Sequence, residues 1–265
     1  MPARNASATI RAAITTTLRG MPEDSELVVW DDDSDDATAS VVDALSDRRI
    51  RLFRSDAPVG SGQARRSLMD ATDSEFVANM DADDISLPWR FAGTKGLLDR
   101  LDLVFASTIK FGPSRWRLRP SLSHYSAPDF RRALSFHAPV CHSAMIGRRT
   151  AINDVGGYSD LRFGQDYDLW LRLALDGRRL GRIALPGVLY RLSAGQASQS
   201  PGYLNAIKNS TVADTYAKLY AVNVGAPLPP DRDTALGGLA ELARSFDSPL
   251  LRRYYARLVN QVVMV

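Results

Sequence analysis

The sequence predicts an α/β protein built on a doubly wound, mostly parallel sheet. Three observations carry that expectation. Short apolar runs alternate with helical periodicity through about the first 200 residues, as in successive βα units. The run Leu27-Val28-Val29-Trp30 is continuously apolar, as in a parallel strand buried on both faces. Acidic clusters follow two such runs, at Asp31 to Asp36 and Asp81 to Asp84. Ligands of open α/β sheets bind outside the carboxyl ends of the strands.

Composition narrows the class. The chain has 265 residues, 45% hydrophobic and 24% charged, ordinary values for a soluble globular protein. A net charge of +3 without a dense Lys/Arg run argues against a nucleic-acid partner. The single cysteine, Cys141, rules out an internal disulfide and a cysteine-based metal site. It reads as a small buried hydrophobe. No stretch of about 18 apolar residues occurs, so no transmembrane helix is expected. The N-terminus carries no signal-like apolar segment. The resulting expectation is a cytoplasmic protein, with a peripheral membrane contact left open.

In chain order, residues 1–5 read as a loop and Ala6 to Leu18 as a helix, capped by Ser7 or Thr9, with Ile10, Ile14 and Leu18 on one face. A strand follows at Glu26 to Trp30, then a helix near 37–45 and a strand at Arg49 to Phe53. A loop at Pro58 to Gly62 leads into a helix at Gln63 to Ala71. Glu75 to Ala78 is the next strand and Trp89 to Leu101 the next helix, with Arg90 and Lys95 on its solvated face. Leu103 to Ser107 is a strand. Residues 111–126 read as a loop whose Arg115, Trp116, Arg117 and Arg119 suit either a lid or an ordinary surface. Asp129 to Phe136 is a helix and Ser143 to Ile146 a strand. Gly156-Gly157 permits positive φ. Asp166 opens a helix to Leu175 with a stripe of Leu169, Trp170, Leu173 and Ala174. Ile183 to Tyr190 returns as a strand, followed by a polar loop at Ser193 to Gly202. Three helices close the chain, at Asn205 to Val222, Thr234 to Phe246 and Pro249 to Val263.

The segment Asn79-Met80-Asp81-Ala82-Asp83-Asp84 is the chemical centre of this reading. Hard oxygen ligands suit Mg²⁺ or Mn²⁺, which also take substrate phosphates. Asp81 and Asp83 point the same way if the segment is extended. The plain alternative is a solvated acidic turn. Asp36 and Thr38 read as a helix start. Asp31, at a strand tip, is suited to accept a hydrogen bond from a nucleobase N–H. His137 and His142 read as structural histidines rather than a metal pair, because a spacing of five suits no single helix face.

Taken together, the motifs resemble glycosyltransferase family 2. The likeness rests on the Pro2-Ala3-Arg4-Asn5 loop, Asp31 through Thr38, Gly60 with Ala64-Arg65, and Asp81-Ala82-Asp83-Asp84 with Pro88. It extends through Val155-Gly156-Gly157-Tyr158, Gln165-Asp166-Tyr167-Asp168-Leu169-Trp170, and Tyr190-Arg191. The resemblance implies a GT-A fold: a Rossmann-like, mostly parallel sheet flanked by helices. Residues 1–200 would be catalytic, with a nucleotide-binding half to about 110 and an acceptor half beyond. Residues 201–265 would be a helical C-terminal extension, in which Arg252, Arg253 and Arg257 could meet a membrane, a second subunit or the catalytic domain.

The resemblance also implies an activity: inverting transfer of a sugar from a nucleotide-sugar, first choice a UDP-sugar, to a glycan, lipid-linked or small-molecule hydroxyl. It places Pro2, Ala3, Asp31, Arg65, Asp81, Ala82 and Asp83 on the nucleotide-sugar. Asp83 is the ligand of Mn²⁺ or Mg²⁺, Asp166 the general base, and Gln165 and Trp170 the acceptor side. At a helix N-terminus Asp166 should stay ionised and only modestly basic.

Three departures favour an alternative, a degenerate nucleotide-sugar binder without catalysis. Gln165 stands where an acid is usual, and Ser193 where some members use a metal-binding histidine. The family's first strand is absent before the Pro2 loop, which should leave neighbouring strands without a partner. A start codon further upstream, or a clipped chain, would explain that. A second rival, a nucleotidyltransferase, lacks its Gly-rich phosphate loop here.

Overall fold

A computed structural model describes residues 1–112, 123–193 and 211–263. In chain order it contains β1 (Pro2–Ala3), α1 (Ile10–Gly20), β2 (Leu27–Asp31), α2 (Thr38–Asp43), β3 (Ile50–Arg54) and α3 (Gly60–Asp70). Then come β4 (Phe76–Ala78), β5 (Ile85–Ser86), α4 (Arg90–Lys95), β6 (Leu103–Phe111) and α5 (Ala127–Ala133). A 3-10 turn at His142–Ala144 leads into β7 (Met145–Arg148), α6 (Arg149–Asp154), α7 (Gln165–Leu175) and β8 (Leu180–Arg191). The C-terminal helices are α8 (Thr211–Val224), α9 (Arg232–Arg244) and α10 (Pro249–Val263). Arg115, Trp116, Arg117 and Arg119 lie outside the described residues, as do most of the Ser193 to Gly202 loop and the start of the Asn205 helix.

The α/β class holds, and the sheet is more mixed than the alternation of elements suggests. Strands β1, β2 and β3 form a parallel sheet. The second sheet has the order β4-β7-β6-β8-β5. Within it β6 and β8 are parallel, while β7 runs antiparallel to both β4 and β6, and β5 antiparallel to β8. The carboxyl ends of β2 and β4 carry the two acidic clusters, as expected.

Several local expectations change. Helix α1 begins at Ile10, without a side-chain cap from Thr9. Residues 6–9 form a turn instead, in which Thr9 N–H donates to Ala6 C=O at 2.9 Å. Ile10 and Ile14 are fully buried as predicted. Helix α3 starts at Gly60 because Asp32 draws in the backbone N–H groups of Val59 and Gly60, at 2.8 and 3.0 Å. The helix after Trp89 ends at Lys95, and turns follow.

Arg90 is not on a solvated face: only 1% of it is exposed. Its guanidinium donates to the carbonyls of Asn79 and Met145 and lies 3.3 Å from Met80 Sδ. Burial lowers its pKa to about 10. Arg90 thereby closes the otherwise open carbonyl end of β4, directly before the acidic turn.

Strands β2 and β4 share a cavity of about 110 Å³, lined along one side by Glu26, Leu27 and Val28 and along the other by Phe76 to Asn79. The Met1 ammonium closes one end by donating to Val28 C=O at 2.7 Å.

One apolar cluster joins α7, β6 and the C-terminal helices: Leu169, Trp170 and Leu173 with Phe105, and Val212, Leu219, Phe246, Leu251 and Tyr255. Tyr255 stacks on Phe246 at 4.5 Å and lies 4.6 Å from Phe136. The apolar face of α10 therefore packs inward, leaving Arg252, Arg253 and Arg257 exposed. No described helix is long and apolar enough to cross a membrane.

Candidate active site

The acidic turn follows directly from the end of β4. Beyond Ala78 the chain is not extended: Asp84 N–H donates back to Asp81 C=O at 3.3 Å. The expected shared direction of Asp81 and Asp83 on a strand is therefore replaced by a turn. The two carboxylates remain close enough to interact. Burial, and then the charge of Asp81, raise the pKa of Asp83. Asp84 is completely buried, and its Oδ1 accepts from Arg191 N–H at 2.8 Å. Burial, reinforced by Asp81, pushes its pKa up to about 8. Arg191 Nε also donates to Asp83 C=O at 2.7 Å. The end of β8 is thus fastened onto the turn, which explains why Tyr190-Arg191 belongs to the motif series.

The second cluster divides its work. Asp31 is 4% exposed and its Oδ1 has no partner among the described residues. A buried acceptor left open is costly, and this one suits an incoming N–H. Asp32 organises α3, as above. Asp36 accepts from the N–H groups of Thr38 and Ser7 at 2.8 and 3.0 Å, and side-chain hydrogen bonds from Ser7 and Thr38 lower its pKa. Ser34 Oγ accepts from Asn5 N–H, and Asn5 Oδ1 from Asp35 N–H, both at 2.9 Å. These bonds tie the segment after β1 to the tip of β2; Pro2 and Ala3 themselves pair with Trp30 and Asp31 as a strand, in place of the expected loop. Pro2 is half-buried there. Ala3 and Ala82 are 5% and 7% exposed and sit in an apolar cluster with Met1 and Met80. With their side chains packed inward, these two residues offer a ligand chiefly their backbone.

Arg65, on α3, is the hub. Its Nη2 pairs with Asp81 Oδ1 at 2.6 Å, and its Nε donates to His142 Nδ1 at 2.9 Å. His142 also meets the Tyr158 hydroxyl at 2.9 Å and the Asn79 amide at 2.6 Å through Nε2. The sequence reads His142 as a structural histidine; its partners, 16 to 77 residues away, are not visible there. His137 lies elsewhere, stacked on Tyr255 at 5.6 Å. Both histidines thus have protein partners.

Asp166 is half-buried in the first turn of α7, where its Oδ1 accepts from Tyr167 N–H at 2.8 Å. Its pKa is raised by burial; Tyr167 N–H and Arg65 oppose the shift, and Asp81 adds to it. Loss of hydration thus shifts it opposite to the lowering expected from a helix terminus. Asp166 also feels the same Arg65 and Asp81 charges as the donor-side cluster, so the two halves share one electrostatic environment.

Two acceptor-side expectations change. Trp170 is fully buried against Phe105 and cannot touch an acceptor. Gln165 is 9% exposed and donates to Ser61 Oγ at 2.9 Å, bracing α7 against α3.

The family described as Glycosyl transferase family 2 matches residues 1–156. The chain belongs to this family. A relative from Escherichia coli, UDP-Glc:alpha-D-GlcNAc-diphosphoundecaprenol beta-1,3-glucosyltransferase WfgD, is 39% identical over 85 residues, covering 32% of this chain and 34% of its own. The chain thus spans about a third of that relative's length. Among solved structures, S. aureus TarS 1–349 in complex with UDP-GlcNAc superposes with a TM-score of 0.63 at 16% identity, covering 99% of this chain and 90% of that one. The mannosyltransferase PcManGT from Pyrobaculum calidifontis, in complex with GDP-Man and Mn²⁺, gives 0.56 at 20% identity, covering 99% and 72%. These likenesses establish the GT-A fold for this family 2 chain.

Proposed function

We propose that this family 2 chain transfers a sugar from a nucleoside-diphosphate sugar to an acceptor hydroxyl, with inversion. The observation that carries this reading is the common surrounding of Asp166, Arg65 and Asp81: an ionisable base faces the charges suited to a diphosphate donor. In a single displacement, Asp166 takes the acceptor proton as the hydroxyl oxygen bonds to the anomeric carbon and the bond from that carbon to the diphosphate oxygen breaks, the nucleoside diphosphate leaving with the electron pair. Its raised pKa makes it a better base than an exposed carboxylate. Arg65 and the open Asp31 oxygen hold the donor's nucleoside diphosphate.

A divalent cation, Mn²⁺ or Mg²⁺, fits the donor set. The residues offer hard oxygens, and Asp83 is a half-buried carboxylate crowded by Asp81. No group of three or more His, Cys, Asp or Glu side chains suited to a metal occurs among the described residues. Asp83 would therefore hold the ion together with diphosphate oxygens. When bound, such an ion offsets charge on the departing diphosphate. The Mn²⁺ bound with GDP-Man in PcManGT supports the use of a divalent ion.

A UDP-sugar donor is supported by the TarS complex, and a lipid-linked glycan acceptor by the name of the WfgD relative. The test is a thermal-shift panel of UDP-glucose, UDP-GlcNAc and GDP-mannose, each with and without Mn²⁺. A ligand that binds only the native state raises stability. At least one donor should raise Tm in a Mn²⁺-dependent way; no shift with any of them argues against the reading.

A further inference from the structure

The Arg65 guanidinium is held by one edge. Its Nε and Nη2 are both spent, on His142 Nδ1 and on Asp81 Oδ1. Its Nη1 is buried without a partner among the described residues. Arg65 itself is 5% exposed and is among the residues lining the cavity between β2 and β4. A guanidinium cannot give up a proton, so Nδ1 must be the acceptor in the Arg65–His142 contact. The neutral ring then carries its proton on Nε2, which faces the Tyr158 hydroxyl oxygen at 2.9 Å and the Asn79 amide at 2.6 Å; with Nε2 as the donor, that amide presents its oxygen to the ring. The ring is also fixed by an edge contact with Trp170 at 6.0 Å and by Tyr158 at 5.5 Å. Burial and the facing Arg65 charge both disfavour a protonated ring.

We propose that His142 is a positioning residue for the donor site: its bare Nδ1 holds Arg65 in the orientation that pairs Nη2 with Asp81 and leaves Nη1 for a ligand oxygen. The inference rests on the nucleotide-sugar reading above. It adds a component that neither the acidic motifs nor the base identifies. His142 touches no substrate; it acts through Arg65, and Trp170 links it to the helix that carries Asp166. The fully buried Trp170 thus contributes to the site indirectly, as the wall against which the imidazole is packed.

The test uses the whole chain, with UDP plus Mn²⁺ as the probe. His142→Leu keeps the bulk and removes the acceptor. His142→Asn puts an amide oxygen close to where Nδ1 stands. Well below either variant's Tm, His142→Leu should weaken UDP binding tenfold or more and raise the donor KM by a similar factor, with kcat changed less than threefold. His142→Asn should return both values to within threefold of wild type. A purely structural histidine would lower Tm in both variants and leave binding by the folded fraction unchanged, which would overturn the proposal. If His142→Leu does not fold, the nitrogen NMR spectrum of the wild-type ring decides. One neutral tautomer, protonated at Nε2, is expected, and a Nδ1–H form would overturn the assignment. Wild-type protein that binds neither UDP nor any donor of the panel would defeat the functional reading itself. UDP binding equal in wild type and His142→Leu would defeat only the positioning role.

Discussion

Gln165 Nε2 donates to Ser61 Oγ across 2.9 Å, joining residues 104 positions apart. The bond links the first turn of α7, which carries Asp166, to the first turn of α3, which leads to Arg65. The loop before α7 also packs tightly on α3: a Cβ on Gly62 would stand 2.5 Å from the Ser159 carbonyl oxygen and 2.9 Å from that of Leu161. Gly62→Ala should therefore push that loop away from α3, at a cost of about 1–3 kcal/mol, and, by displacing the segment that leads to Asp166, lower kcat more than it weakens nucleotide binding. Gln165→Leu should cost only about 1 kcal/mol. Urea denaturation and steady-state kinetics check both; an unchanged Gly62→Ala protein would mean that the interface yields.

Arg90 is expected to be a principal stabilising residue of the nucleotide-binding half. Replacing it with Met keeps the apolar stem and removes the donors to the Asn79 and Met145 carbonyls. A loss of about 3 kcal/mol should follow, since buried acceptors lose charged donors. The midpoint of urea unfolding reads this directly, and a change below about 1 kcal/mol would refute it.

These two residues mark where the sequence stopped being legible. The strand tips, the acids on them and the start of α7 follow from periodicity and spacing, because those are local properties. Arg90 looked solvated because the helix pattern alone does not reveal that β4 and β7 leave carbonyls facing it. Trp170 looked like a ligand contact because it adjoins a motif, although its apolar stripe already marked it as core. The antiparallel insertion of β7 between β4 and β6 depends on pairings between residues about 70 positions apart, which no window of sequence contains. The partners of His142 were hidden for the same reason.

Acid should destabilise the protein through its two partnered histidines. Burial holds the folded-state pKa of both His137 and His142 below the usual 6.5. The unfolded chain therefore takes up protons that the native state refuses. The stability from neutral rings is present above pH 6.5 and is lost as pH falls toward the folded values. Each histidine contributes a slope approaching 1.4 kcal/mol per pH unit at most. Tm measured from pH 7.5 to 5 should fall, and less steeply in His142→Asn; equal slopes would contradict this.

The C-terminal helix α10 is bound through its aromatic face. Tyr255 is fully buried, and its hydroxyl lies 3.1 Å from that of Tyr125. Tyr255→Ala should cost about 3–5 kcal/mol. Charge reversal at exposed Arg253 should change stability by less than about 0.5 kcal/mol. Comparable losses in the two variants, read by thermal or urea unfolding, would mean that the helix is held by its charges instead.

The division of labour between Asp83 and Asp166 is the centre of the account. The most direct measurement pairs UDP–Mn²⁺ calorimetry with turnover of whichever donor the thermal panel identifies, in Asp83→Ala and Asp166→Ala. Asp166→Ala should bind UDP–Mn²⁺ like wild type while turnover falls by about 10²–10⁴, and Asp83→Ala should lose Mn²⁺-dependent binding along with turnover. Near wild-type turnover in either variant, or loss of UDP–Mn²⁺ binding in a folded Asp166→Ala protein, would contradict it.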